Sequence, residues 1–132
     1  MSLAYDYLIF MAGIICGIIL FQSSIIAPTV FRVLDLEDAG AFLRKVFPRF
    51  FTLIMACSLL MLVLVVLSDS SDKSRFMLPV ANLVFSGVSY LVIPATNRAK
   101  DDGEEKKFKA LHSLTVALTL LMLILNITWW LF

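Results

Sequence analysis

The sequence is poor in what enzymes are usually built from: it has a single histidine, two cysteines, and no acidic residue inside its long apolar runs. One histidine cannot supply the three or four protein ligands of a zinc site, so no metal is expected. Without a carboxylate inside those runs, acid-base catalysis by paired acids within a membrane is not expected either. There is no Gly-rich phosphate loop and no Gly-x-Ser-x-Gly elbow. Cys16 and Cys57 lack any partner spacing and read as small buried residues. A net charge of +1 excludes the basic footprint of a nucleic-acid binder. No catalytic residue stands out, and the balance leans against an enzyme.

What the chain has in abundance is apolar surface. With 132 residues, 61% of them hydrophobic, and a mean hydropathy of +0.95, it holds more than a soluble domain can hide. The excess must face lipid. Uncharged runs extend from Tyr7 to Phe31, Phe50 to Ser68, Met77 to Asn97 and His112 to Phe132. At about 1.5 Å per residue each can cross a hydrocarbon core of ~30 Å. The fold class is therefore all-α: one integral membrane four-helix bundle spanning 1–132, with helices at about 5–31, 48–68, 76–97 and 108–132. The first run has no basic residue ahead of it and places Pro28 after its best small-residue exit, Ala27. It reads as a retained helix, not a cleaved leader.

Charge placement sets an orientation. Arg32, Arg44, Lys45 and Arg49 fall between the first two runs, and Arg98, Lys100, Lys106, Lys107 and Lys109 between the last two, leaving only Lys73 and Arg75 in the middle connection. The positive-inside rule then puts both termini outside and the 1–2 and 3–4 connections in the cytoplasm. Tyr5, Tyr7, Phe76, Trp129, Trp130 and Phe132 would mark the outer interface, and Phe47, Phe50 and Phe51 the inner one.

Between the first two runs, Asp35 and Asp38 suggest a helix start, and Leu36, Ala39, Phe42, Leu43, Val46 and Phe47 recur at helical spacing. This predicts a short amphipathic helix, about 36–47, on the cytoplasmic interface, with Pro48 opening the second membrane helix. An offset of 66 residues aligns Ser23 with Ser89, Pro28 with Pro94, Arg32 with Arg98, Asp35 with Asp101 and Phe42 with Phe108. A two-fold internal repeat is one explanation, with parallel halves about an axis along the membrane normal. Each proline should kink its helix and free the carbonyl of Ser24 or Tyr90. Arg32 and Arg98 then read either as anchors on kinked helix ends or as guanidinium groups flanking a vestibule for an anion.

Polar residues in the apolar runs can be read individually, because an unsatisfied one is costly in lipid. Gln22 and Ser24, Ser89 and Tyr90, and His112 and Thr115 all fall toward the cytoplasmic side. One reading has them satisfy one another as interhelical contacts. The other is a polar pocket with ligand-binding residues Gln22, Ser24, Arg32, Arg49, Tyr90, Asn97, Arg98, His112 and Thr115. His112 could also carry a proton or act as an axial haem ligand, the one cofactor role open to it. Gly13 and Gly17 form a Gly-xxx-Gly pair, expected first to pack within the bundle and second to form a homodimer.

The run 27-APTVFRVLDLEDAGAFLRKVFPRFF-51, together with 94-PATNRAKDDGEEKKFKALHSLTVAL-118, resembles the transmembrane-protein-205-like domain family of small four-helix bacterial membrane proteins. The likeness covers nearly the whole chain and rests on Pro28, Phe31, Arg32, Gly40, Phe42, Pro48, Pro94, Asn97, Phe108, Leu111 and His112. It implies a bacterial inner-membrane location. The bacterial members are largely a domain of unknown function, and the eukaryotic relatives are associated with vesicle trafficking and tolerance of platinum drugs. The expected function is binding, or assisted movement, of a small anionic or amphiphilic molecule or a lipid headgroup at the cytoplasmic pocket. The alternatives are a haem- or quinone-binding redox protein, or an accessory subunit of a membrane complex. Expected partners are membrane lipid and either a second copy or another membrane protein.

Overall fold

A computed structural model describes residues 3–68 and 72–131, and within them every regular element is helical. Helix α1 (Leu3–Phe21) passes through a π-helical turn, Gln22–Ile26, into α2 (Ala27–Val33). Helix α3 (Leu36–Leu67) follows, then a 3-10 turn (Lys73–Phe76), α4 (Met77–Asp101), α5 (Glu105–Thr128) and a final 3-10 turn (Trp129–Leu131). The result is four rods long and apolar enough to cross a membrane, as expected. Short connections make successive rods antiparallel. Helix α1 packs on α3 and α5, and α4 closes the ring against the same two. One end of the bundle, called the basic end below, holds both the α2–α3 and the α4–α5 connections. The Trp130 side chain and Phe132 of the expected outer aromatic belt lie outside the described residues.

Local chemistry explains the turns. Asp35, in extended conformation, accepts the Asp38 amide at 2.9 Å and caps α3. Helix α4 ends at Gly103, whose φ of 70° lets the Glu104 amide reach back to the Ala99 carbonyl at 2.9 Å. At the opposite end, Asp72 accepts from the Ser74 hydroxyl at 2.7 Å and from its amide at 3.0 Å. The Ser74 hydroxyl and then its amide hold the Asp72 carboxyl below the ordinary range. That contribution to stability is complete above the unfolded-state pKa and is lost as pH falls through the lowered folded value.

The prolines behave differently from one another. No break occurs at Pro48: residues 36–47 and the second membrane segment form one 32-residue helix. The apolar stripe that suggested a membrane-surface helix is partly covered by α2, with Ala39 and Leu43 packed on Val30. At ~48 Å the helix outruns the hydrocarbon core, so its first turns project beyond it. At Pro28 the expected distortion takes the form of the π turn, in which the Ala27 amide bonds the Gln22 carbonyl five residues back. Pro94 sits in uninterrupted α-helix. The residues paired by the 66-residue offset thus occupy unlike settings: Asp35 caps a helix, whereas Asp101 pairs with Arg44, and Ser23 is exposed, whereas Ser89 is buried.

Helices α3 and α4 pack on one another, and each carries a buried stripe spaced three and four residues apart: Phe51, Ile54, Ser58, Met61 and Val65 on α3, and Leu78, Asn82, Ser86 and Ser89 on α4. In lipid such contacts gain little from leaving the solvent, so packing and polar pairs hold the bundle together. The main polar pair is reciprocal. Asn82 donates to Asn126 at 3.1 Å and Asn126 donates back at 2.8 Å, both side chains buried.

Gly13 and Gly17 do not pack within the bundle, contrary to the first expectation. The buried stripe of α1 is Leu8, Ala12, Ile15 and Ile19, which turns both glycines outward. A Cβ at either would meet nothing within 4 Å. Gly17→Ala should therefore stabilise the monomer by roughly 0.5–1 kcal/mol through helix propensity alone, read as a higher unfolding midpoint in detergent. Destabilisation would mean that this face is covered in the native assembly.

Candidate functional site: a cavity at the basic end

The π turn and α2 carry the first rod onto α3, and α2 makes little contact with α5. The space left between them is a cavity of about 830 Å³, within the size range of small-molecule sites. Helix α1 and the π turn contribute Ile19, Leu20, Gln22, Ser23 and Ser24, and α2 contributes Ala27 and Phe31. Helix α3 lends Gly40, Arg44, Phe47 and Phe51, and α4 lends Ile93, Thr96, Asn97 and Lys100. Helix α5 closes the wall with Phe108, His112, Thr115, Thr119 and Leu123.

Gln22 is the unusual residue. Only 7% exposed, it lines the cavity with its Nε2 group buried and without a hydrogen-bond partner. An unmade bond of this kind costs about 1–3 kcal/mol, so the position is poorly suited to an empty fold. Ser89, fully buried on α4, also has an unpartnered hydroxyl. The threonines on α5 do not compete for these groups: Thr115 donates to the Leu111 carbonyl at 3.1 Å and Thr119 to that of Thr115 at 2.8 Å.

Two cations reach the cavity, and they differ in state. Arg44 forms a two-pronged ion pair with Asp101, one arm at 3.0 Å, tying α3 to α4. Lys100 makes no ion pair among the described residues, and its Nζ lies 5.8 Å from the centre of the Phe108 ring. Phe108 in turn stacks on His112, with centroids 5.7 Å apart and planes 8° from parallel. No carboxylate among the described residues lines the cavity. Among the described residues, no three His, Cys, Asp or Glu side chains gather as a metal cluster.

Of the nine residues expected at a ligand site, the cavity brings together Gln22, Ser24, Asn97, His112 and Thr115. Arg49 and Tyr90 line a separate shallow depression with Pro48, Thr52, Leu53 and Ala56. Arg32 is exposed at the end of α2, and Arg98, also exposed, donates to the Pro94 carbonyl at 3.3 Å. Arg98 follows Pro94 by one turn and therefore shares its outward face. Lys100 and Arg44 were not selected from sequence, although spacing held the signal for the first. Ile93, Asn97 and Lys100 stand at i, i+4 and i+7 on α4, one helical face.

Residues 10–105 match a family described as a domain of unknown function, DUF4149. The matched region covers the cavity walls supplied by α1 to α4 and stops at the first residue of α5. An uncharacterised protein of Aquifex aeolicus (strain VF5) is 32% identical over 108 residues, covering 81% of this chain and 79% of that one. No solved structure matches the chain. With the family match spanning most of its length, this four-helix membrane protein belongs to the DUF4149 family.

Proposed function

We propose that the protein binds a small anionic or amphiphilic molecule, a lipid included, in the cavity at its basic end, and helps to hold or pass it at the cytoplasmic side of a bacterial inner membrane. The observation that carries this reading is Gln22: a buried side chain in the wall of a cavity whose described lining has cations and no carboxylate, its Nε2 without a hydrogen-bond partner. A ligand oxygen would complete the missing bond. The orientation follows from the charge asymmetry of the connections. The role is non-enzymatic, because the cavity offers donors, hydroxyls and apolar walls but no acid to work with His112. The outward glycines of α1 supply a face for a second copy or a partner membrane protein. The likeness to the transmembrane-protein-205-like family is compatible with handling of a membrane-borne small molecule.

The test is native mass spectrometry of protein extracted gently from its own membrane, with an absorption spectrum of the same sample. A retained small mass without colour is the expected result. A Soret band would instead favour haem held at His112, the one ring nitrogen in the cavity wall. A bare chain that always co-purifies with one other protein would favour the accessory-subunit reading.

A further inference from the structure

Building on that binding reading, we infer that the ligand is a bilayer-resident amphiphile, a hydrocarbon chain bearing one anionic phosphate or carboxylate head. It enters sideways from the leaflet through a slot between α2 and α5.

The first support is a gradient of polarity along the cavity. Down α5 the lining runs from Phe108 and His112 through Thr115 and Thr119 to Leu120 and Leu123, ~22 Å along the helix axis. Antiparallel α4 repeats the order from its other end, with Lys100, then Asn97 and Thr96, then Ile93. Apart from Phe108 at the mouth and Val116 among the threonines, the polar side chains of both walls lie toward the basic end and the apolar ones toward the bundle centre. A lipid of the adjacent leaflet has the same polarity at the same depth, so it can occupy the cavity without turning over.

The slot is the second support. Leu20 and Phe31 on one side and Val116 and Leu120 on the other line the cavity and are each about half exposed. Side chains with both properties mark the edge of an opening. Leu20, Val116 and Leu120 fall within the uncharged runs, so the opening faces hydrocarbon. Helix α2 leans on α3 and leaves α5 largely uncontacted, which gives the slot its width.

Charge selects the head. Asp101 pairs with Arg44, leaving Lys100 without an ion pair of its own among the described residues, in a lining where no described residue is an acid. Deeper in, the unpartnered Gln22 amide offers a donor and wants an acceptor oxygen. Lysine at the mouth and amide within suit an anionic oxygen head above a chain. An uncharged head would leave Lys100 unanswered, and a fully water-soluble anion would leave the apolar half unfilled.

The test uses phosphatidylcholine vesicles containing the protein and a trace of one photoactivatable probe: a fatty acid, a lysophosphatidic acid, or an uncharged monoacylglycerol with the same chain. Adducts are mapped by peptide mass spectrometry. The two acids should label Ile93 and Leu123 about tenfold more than the neutral probe, and the stronger of the two tells carboxylate from phosphate. Lys100→Gln should erase most of that difference, and Val116→Trp, at the exposed lip, should cut labelling by all three probes. Neutral labelling equal to the anionic would overturn the anionic head, and undiminished labelling in Val116→Trp would overturn sideways entry. If the cavity stays unlabelled while a native mass still co-purifies, the inference fails but the binding reading stands. An unlabelled cavity and no retained mass would defeat both.

Discussion

Gln22→Leu is expected to stabilise the ligand-free protein and, in the same variant, to abolish ligand retention. The two effects have one cause. In the empty fold the Gln22 amide is buried and lacks a partner, so leucine, similar in size and without donors, removes a penalty of about 1–3 kcal/mol. With ligand present the same amide makes the bond that the fold withholds, and its loss should weaken binding about tenfold or more. Thermal unfolding of delipidated protein in detergent, paired with native mass spectra of membrane-extracted protein, reads both quantities. A residue that costs stability and supports binding is a signature of a site. If Gln22→Leu were less stable when empty, the amide would be a structural contact instead, in keeping with the polar contacts that commonly join membrane helices.

Asn82→Leu should be the most damaging single substitution of a polar side chain in the bundle. Asn82 and Asn126 satisfy each other through two hydrogen bonds, and Asn126 also donates to the Met122 carbonyl at 2.7 Å. Removing Asn82 leaves the Asn126 amide with an acceptor oxygen buried between α4 and α5. The expected cost is about 1–2 kcal/mol, within what interhelical polar contacts give in membranes. Asn82→Leu combined with Asn126→Leu should recover most of it, because no orphan then remains. The unfolding midpoints of the two single variants and the double variant form the cycle. Additive losses would show that the amides act separately, and the pair would lose its place as the bond between α4 and α5. Ligand retention should be unaffected throughout, since neither asparagine lines the cavity.

The four rods were legible because lipid demands long uncharged runs, and no other arrangement of these residues hides them. The inward faces of α4 and α5 were legible for a related reason: Asn82, Ser86 and Ser89, and Thr119, Met122 and Asn126, repeat at helical spacing and are too costly to leave in lipid. Local rules misled where tertiary contact decided. Pro48 reads as a helix start, yet the helix continues through it, with the preceding turns held by the packing of Ala39 and Leu43 on Val30. Arg32 and Arg98 drew notice because each follows a proline by one turn. That spacing instead puts Arg98 on the outward face of Pro94, while Lys100, without any motif, reaches the cavity. The Gly13 and Gly17 pair carried no information about which side of α1 faced inward, which was settled by Ile15 and Ile19. The π turn was signalled only as a kink at Pro28, since five residues of altered hydrogen bonding leave no composition of their own.

The most direct test of the cavity as a ligand site is an NMR experiment on methyl-labelled protein in nanodiscs made from lipids of its own membrane. It would look for intermolecular contacts from a bound hydrocarbon chain to Ile93 and Leu123 inside the cavity, with exposed Leu59 and Val84, which line neither cavity nor depression, as lipid controls. The expected result is a slowly exchanging chain in contact with Ile93 and Leu123, displaced in Gln22→Leu, while the contacts of Val84 and Leu59 show only bulk lipid. Water alone at the cavity methyls, with chain contacts confined to the outward set, would contradict the account and leave Gln22 as part of a hydrated structural core.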